Sequence, residues 1–322
     1  MELDKTRRAV HNARMSQIQH ATQPTTISPL YAVPSYAKIN LTLDVLGKRP
    51  DGYHELATVM QTIDLYDTIY LIAGDEDRVS MVCNRMELCN TDNLVVKAAQ
   101  MVRQQLHLTR GIHIELLKRI PVAAGLGGGS SDAATVLLAL RDWWQLPLSD
   151  QQLWEMASTL GSDVPFFLQG GLAMCEGRGE RLMQLKHNWP ATMRWLVLLK
   201  PAISISTAQV FRALQPQDYT NGSWSHAAQA ALETQSTLQP QDLYNSLERG
   251  VLEQYAEVAQ ARSALLEAGA NNVRLSGSGP TLFSTFADLT TASSVQQHLQ
   301  TQGYEVYLTR PIAPAGQSIH FF

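Results

Sequence analysis

The chain has 322 residues, enough for one large or two medium domains. Hydrophobic residues make up 45% and charged ones 17%, a globular balance, and a formal net charge of −4 argues against a nucleic-acid partner, which calls for a basic surplus. Cys83, Cys89 and Cys175 form no Cys-x-x-Cys pair, which argues against a disulfide framework or a zinc site and fits a reducing compartment; no apolar run reaches the roughly 18 residues of a membrane helix, so no membrane partner is expected.

Residues 1–28 are polar, carry Arg7, Arg8 and Arg14, and lack a secretory apolar core. They read as a disordered extension. A transit peptide is the alternative, against which Glu2 and Asp4 count. Residues 36–45 follow as a strand, because Ile39, Leu41, Leu43 and Val45 alternate and should face a core. Lys38, Asn40, Thr42 and Asp44 then share the other face, either solvated or the floor of a site. Pro50-Asp51-Gly52 is a turn, since proline fixes φ and glycine accepts a positive value. It presents Tyr53 beside His54, an aromatic and an imidazole that suit a planar ligand or a structural contact. Strands are expected at 58–65, 67–73 and 79–83. Thr91-Asp92-Asn93 reads as a cap for a helix carrying Leu94, Val95, Ala98, Met101, Val102 and Leu106, and Ile112, Ile114 and Leu116 alternate in a strand that ends at Pro121.

Residues 121–133 read Pro-Val-Ala-Ala-Gly-Leu-Gly-Gly-Gly-Ser-Ser-Asp-Ala, with Gly125, Gly127, Gly128 and Gly129 inside five positions. An apolar helix follows from Ala133. A turn needs one or two glycines; four in a row cost backbone entropy and persist where a ligand approaches the main chain. A glycine loop running into a helix N-terminus offers converging N–H groups and partial positive charge, which suit a phosphate. A Walker loop would need Gly-Lys-Ser/Thr, and a dinucleotide fingerprint would need Gly-x-Gly-x-x-Gly; neither spacing is present.

A helix at 151–160 is expected, capped by Asp150 and closed by Gly161. Asp163 lies in the turn Gly161-Ser162-Asp163-Val164-Pro165, as a turn former or a catalytic carboxylate. Strands are expected at 166–175 and 181–185, a domain boundary at 186–192, a buried strand at 195–199 and a helix at 206–214. Residues 215–240 read as a variable loop with a short helix, and 244–268 as one or two helices. A second glycine loop, Leu275-Ser276-Gly277-Ser278-Gly279-Pro280, sits between strands at 273–275 and 281–286. By itself it is a tight turn or a binding loop. A helix at 290–299 and a strand at 304–308 complete the chain.

Three motifs occur in order: Ala37-Lys38-Ile39-Asn40-Leu41, the loop at 121–133, and the second glycine loop. Together they resemble the GHMP kinases, the small-molecule kinases of galactose, homoserine, mevalonate and related substrates. Arg49-Pro50-Asp51-Gly52-Tyr53-His54-Glu55-Leu56, Asp92-Asn93-Leu94, the Gly-Gly-Gly-Ser-Ser-Asp loop and Gly161-Ser162-Asp163-Val164-Pro165 resemble one branch of that family. That branch uses ATP to phosphorylate the 2-hydroxyl of a cytidine-diphosphate-linked methylerythritol in the non-mevalonate route to isoprenoids. Many other members have alanine where Asp132 stands.

The resemblance implies an α+β, two-domain GHMP kinase fold. An ATP-binding α/β domain at 29–186 and a C-terminal α/β sandwich domain at 193–322 would hold the active site in the cleft between them. It also implies roles. Pro121, Ala124, Gly125, Leu126, Gly127, Gly128, Gly129, Ser130 and Ser131 would form the ATP phosphate site, with Asn93 and Leu94 near the adenine. Asp163 would accept the proton of the attacking hydroxyl, and Lys38 would hold Asp163 ionised. Asn40, Tyr53, His54 and Phe211 would hold the substrate. Mg²⁺ is expected with ATP; the Ser130 or Ser131 hydroxyl is a candidate ligand, while Asp132 would favour the helix N-terminus. The expected enzyme is cytoplasmic, or plastid if 1–28 is a transit peptide, and a monomer or homodimer. The rivals are a kinase of another GHMP branch and a non-catalytic ATP-binding protein; the latter would lack the Lys38 and Asp163 pair.

Overall fold

The computed structural model describes residues 30–74, 77–186, 188–234, 238–313 and 320–321. The extension expected at 1–28 lies outside the described residues. In chain order the first part holds β1 (Leu30–Lys48), β2 (His54–Gly74), β3 (Val79–Cys83), α1 (Leu94–Gln105), β4 (Gly111–Leu117), α2 (Gly128–Trp143), α3 (Asp150–Leu160), α4 (Val164–Gln169), β5 (Leu172–Gly177) and β6 (Arg181–Gln184). The second holds β7 (Asn188–Trp189), β8 (Trp195–Lys200), α5 (Thr207–Ala213), α6 (Ser223–Thr234), β9 (Tyr244–Asn245), α7 (Glu248–Gln254), α8 (Ala256–Glu267), β10 (Val273–Leu275), β11 (Leu282–Phe286), α9 (Leu289–Thr301), β12 (Glu305–Thr309) and β13 (His320–Phe321).

The long β1–β2 hairpin is the spine of a sheet ordered β3-β4-β2-β1-β9. The free edge of β2 carries β4 along Thr68–Gly74 and β5 along Leu56–Gln61. A second sheet is ordered β10-β11-β8-β12 and is antiparallel throughout. Alternation on β8 explains how the layers stack: Leu196 and Leu198 share a core with Ile39 and Leu41 of β1, while Val197 and Leu199 share one with Val258 and Leu265 of α8 and Val295 and Leu299 of α9. The opposite face of the first sheet, with Ile69, Leu71, Ile112 and Ile114, packs on α1, α2 and α3. The two sheets therefore lie face to face between two layers of helices. No helix among the described residues is long and apolar enough to cross a membrane.

Several expected boundaries differ. The strands expected at 58–65 and 67–73 are one strand, because pairing with β1 runs through Tyr66 opposite Tyr36, whose rings contact at 5.5 Å. The strand expected from Phe166 is instead the helix α4, with proline in its first turn, followed by Gly170 and Gly171 at positive φ before β5. A short apolar run does not distinguish the two by periodicity. The cap of α3 is Ser149 rather than Asp150; its side chain accepts from Gln152 N and the Gln152 side chain answers in a capping box. Residues 215–240, expected as a variable loop with a short helix, hold the three-turn helix α6. The solvated-face alternative for β1 fails, since Ala37 to Val45 are all buried. Asp44 accepts from Thr220 Oγ1 at 2.6 Å and from Ser225 N and Oγ at 2.8 and 2.6 Å, tying α6 to the sheet.

Candidate active site

The helix α2 begins at Gly128, so the last two loop glycines lie in its first turn, where N–H groups have no intrahelical partner. Gly127 caps it at φ 71°, a left-handed value, and a Cβ there would lie 2.6 Å from the Phe167 ring. A Cβ at Gly125 would lie 2.2 Å from Ser276 O of the second glycine loop. The two loops touch: Ser276 Oγ donates to Gly125 O at 3.0 Å, and Thr281 N to Ala124 O at 3.4 Å. Asn245 Nδ2 holds the second loop by donating to Leu275 O and Gly277 O, each at 2.8 Å. Gly129, by contrast, faces open space.

These loops form the middle of a cleft of about 950 Å³. Lys38 and Asn40 project into it from β1, and Lys38 N donates to Leu126 O at 3.0 Å, binding the strand to the loop. Lys38 Nζ lies 3.6 Å from Asp163 Oδ2 and donates to Asn40 Oδ1 at 2.6 Å; Asn40 Nδ2 donates in turn to Thr58 Oγ1 at 2.8 Å. The Lys38 side chain is 4% exposed, whereas that of Asp163 is 37% exposed to the cleft side. A buried cation thus faces an accessible carboxylate.

At one end, His54 packs on Phe211 of α5 with ring centroids 5.3 Å apart and on Tyr219 at 6.1 Å. Burial, and after it the charge of Lys48, hold the His54 ring below its ordinary pKa, so it is neutral at pH 7. Tyr53 is half exposed, with the Arg178 guanidinium 5.0 Å above its ring. At the other end lie Leu88, Asn93 and Leu94. Asn93 caps α1: its Oδ1 accepts from Val95 N at 3.0 Å, and its Nδ2 donates to Leu88 O at 3.0 Å.

Of the residues expected from the sequence, Lys38, Asn40, Tyr53, His54, Asn93, Leu94, Pro121, Ala124, Gly125, Leu126, Gly127, Gly128, Gly129, Ser130, Asp163 and Phe211 line this one cleft. Ser131 does not: it is buried, its hydroxyl accepts from Ser35 Oγ at 2.8 Å, and its N–H is committed to Gly127 O. Sequence reasoning missed Tyr219, for which no pattern points to a ring, and the group beneath the phosphate loop. There Lys118 Nζ bridges Asp67 and Asp132, at 2.8 Å to Asp132 Oδ2, with all three side chains under 5% exposed. Burial pushes Asp132 up to about 7 against the pull of Lys118, with Asp67 adding to the rise. Burial pulls the Lys118 ammonium down, but Asp132 and Asp67 leave it above its ordinary value. The signal was present: Asp67 interrupts an apolar strand, and Lys118 stands three residues before Pro121.

Sequence profiles match in two places, "GHMP kinases N terminal domain" over residues 93–171 and "GHMP kinases C terminal" over 222–305. The chain is 42% identical to a 4-diphosphocytidyl-2-C-methyl-D-erythritol kinase of Pelotomaculum thermopropionicum over 86% of its length and 96% of that protein. It is 39% identical to the enzyme of the same name from Clostridium botulinum, over 86% and 99%. A crystal structure of 4-(cytidine 5'-diphospho)-2C-methyl-D-erythritol kinase superposes with a TM-score of 0.75 at 31% identity, covering 87% of this chain and 99% of the other. Homoserine kinase from Cytophaga hutchinsonii shares the fold at a TM-score of 0.67 and 18% identity, covering 91% and 98%.

Proposed function

The chain belongs to the 4-diphosphocytidyl-2-C-methyl-D-erythritol kinases of the GHMP kinase family, and from that membership we propose how its cleft transfers a phosphoryl group. The reaction is the ATP-dependent phosphorylation of the 2-hydroxyl of 4-diphosphocytidyl-2-C-methyl-D-erythritol, a step toward isoprenoid precursors. ATP lies along the glycine loop, its base toward Leu88, Asn93 and Leu94 and its phosphates over the N–H groups of Gly128, Gly129 and Ser130. Asn93 holds its place through Leu88 O and Val95 N, leaving its second amide hydrogen and second oxygen lone pair for the base.

The cytidine packs against His54, Phe211 and Tyr219, with Tyr53 and Arg178 at the rim. The neutral imidazole offers one donor and one acceptor to the base edge. That grip leaves the methylerythritol hydroxyl over Asp163, between the rings and the phosphate loop. Asp163 accepts its proton as the oxygen attacks the terminal phosphorus. Lys38 compensates charge on the carboxylate and on the transferring oxygens, and a loose transition state makes such positioning and electrostatics the main source of rate. Asn40, with its carbonyl on Lys38 and its amide on Thr58, aims the lysine and meets the substrate edge-on.

Magnesium fits the oxygen donors present. Asp132 Oδ1 is buried in the cleft wall without a hydrogen-bond partner, and the Ser130 hydroxyl lies two residues away. These two would hold the ion, which supplies positive charge to the triphosphate. Residues 29–186 serve as the ATP-binding half and 193–322 as the second half, the latter contributing Phe211, Tyr219 and the second glycine loop.

The observation that carries this reading is the Lys38–Asp163 pair standing between the phosphate loop and the ring cluster in one cleft. Its test is steady-state kinetics of Asp163→Asn. The expected result is a kcat lower by about 10²–10⁴-fold with the KM for ATP nearly unchanged. An unchanged kcat would remove Asp163 from the chemistry.

A further inference from the structure

Cys83 and Cys89 take no part in the reaction and do not line the cleft, but Leu88, next to Cys89, does. Cys83 closes β3, and a single turn at Met86–Leu88 brings the chain back so that Cys89 returns beside it. Both sulfurs meet the main chain of Arg85. Cys83 Sγ accepts from Arg85 N at 3.4 Å, and Cys89 Sγ points at Arg85 O at 3.9 Å and at Cys83 O at 3.7 Å. Burial holds the Cys83 thiol above its ordinary value, and the nearby Cys89 adds to the rise. Cys89 is exposed and Cys83 partly so, whereas Cys175 is buried. An exposed thiol with a second one beside it is the arrangement in which a mixed disulfide is resolved internally.

The segment between them is wired to the nucleotide site. Asn84 Nδ2 donates to Lys118 O at 3.1 Å, and its Oδ1 accepts from Lys118 N at 2.7 Å, so Asn84 grips the strand end that leads to the phosphate loop. Leu88 lines the cleft, and its carbonyl holds Asn93, the cap of α1. A bond between Cys89 and Cys83 would close residues 84–88 into a ring that includes Leu88, one wall of the base subsite.

We propose that Cys83 and Cys89 form a reversible disulfide, made by exchange with a low-molecular-weight disulfide, that weakens ATP binding. In the first step the Cys89 thiolate attacks the small disulfide, forming one S–S bond and expelling one thiolate. The Cys83 thiolate then attacks Cys89 Sγ and expels the second. The protein loses two electrons and two protons, which the small disulfide takes up as two thiols. The effect on ATP rests on the reading that nucleotide binds along Leu88, Asn93 and Leu94.

The test uses the full chain, treated with oxidised glutathione or with dithiothreitol and digested with trypsin without reduction. Cleavage at Arg78, Arg85 and Lys97 puts the two cysteines on separate peptides, 79–85 and 86–97. The expected product is these two peptides joined, an ATP Kd about tenfold higher than that of the reduced chain, and full recovery with dithiothreitol. Cys89→Ser keeps the reduced chain's affinity under either treatment. Glutathione retained on Cys89 alone, or both thiols left free, overturns the bond. A joined pair with unchanged ATP affinity overturns the switch. The peptide map reads the bond whether or not nucleotide binds, so failure of the ATP reading, seen as no binding in the reduced chain, is separately recognised.

Discussion

At the scale of single residues, the chemistry depends on which groups are buried beside which. Lys38 is held from two sides, by Asp163 and by Asn40 Oδ1. Replacing it with methionine leaves the carboxylate without its cation, and kcat should fall by at least about 10²-fold while the protein stays folded, checked by kinetics beside a thermal melt. His54 gives a pH prediction. Burial and Lys48 keep its folded pKa below 6.5, so as pH falls the unfolded chain takes up the proton first. Its contribution to stability is whole above pH 6.5 and is lost as pH falls through the folded value. The KM for the cytidyl substrate should rise over the same range, and His54→Gln should flatten that rise; a KM profile that keeps its inflection in the variant would place the titration elsewhere. Lys38, Asp163 and the Tyr53-His54 pair were legible as a set only because three motifs in order carried a family resemblance. Asp163 alone reads as a turn residue, and indeed it precedes a helix with proline in its first turn. Tyr219 was illegible, because a ring brought to His54 by a loop leaves no periodic trace.

At the scale of elements, the phosphate loop is a pair of loops that hold each other. A methyl at Gly125 would meet Ser276 O at 2.2 Å, on a residue at φ 74°, so Gly125→Ala must push the two loops apart. A methyl at Gly129 meets nothing within 4 Å and sits in a helix, where alanine is favoured by about 1 kcal/mol. Gly125→Ala should therefore lower the melting temperature and Gly129→Ala should not, while both weaken ATP binding, Gly129→Ala by filling the space of the proposed phosphate site. Equal melting temperatures would deny the interlock. The glycine run itself was readable, but where the loop ends was not. The apolar run points to a helix from Ala133, and the helix starts at Gly128, where Ile120 and Lys118 lie close to Gly128 and the Phe167 ring lies close to its cap, Gly127. The α4 helix reads as strand for a related reason: Phe166-Phe167-Leu168 is apolar throughout, and only Gly170 and Gly171, at positive φ after it, mark where it ends.

At the scale of the whole molecule, the two halves share one core. Ile39, Leu41 and Val59 of the first sheet are fully buried against Leu196, Leu198 and Phe283 of the second, and β9 from the second half adds to β1. A chain cut to residues 30–186 would expose that face, at about 1.5–3 kcal/mol for each large side chain. It should fail to give a cooperative thermal transition; a folded, ATP-binding fragment would contradict the shared core. The charge bridge under the loop has the same global weight. Lys118→Met leaves Asp67 and Asp132 buried together without their cation, and should cost about 3–5 kcal/mol in denaturant unfolding. The layered α+β plan was legible from alternating and helical patterns. The face-to-face packing of the sheets was not, because residues 37–45 of β1 are all buried and their polar side chains find partners distant in sequence, Lys38 in Asp163, Asn40 in Thr58 and Asp44 in Ser225.

The central claim joins a phosphate loop, a base and a cytidine grip in one cleft, and acceptor choice tests all three at once. ADP release would be followed with Mg²⁺-ATP and four acceptors in parallel: 4-diphosphocytidyl-2-C-methyl-D-erythritol, mevalonate, homoserine and galactose. The account predicts turnover with the cytidyl compound alone, and its loss in Asp163→Asn. Turnover with one of the other three, or ATP binding with none of them phosphorylated, would contradict it.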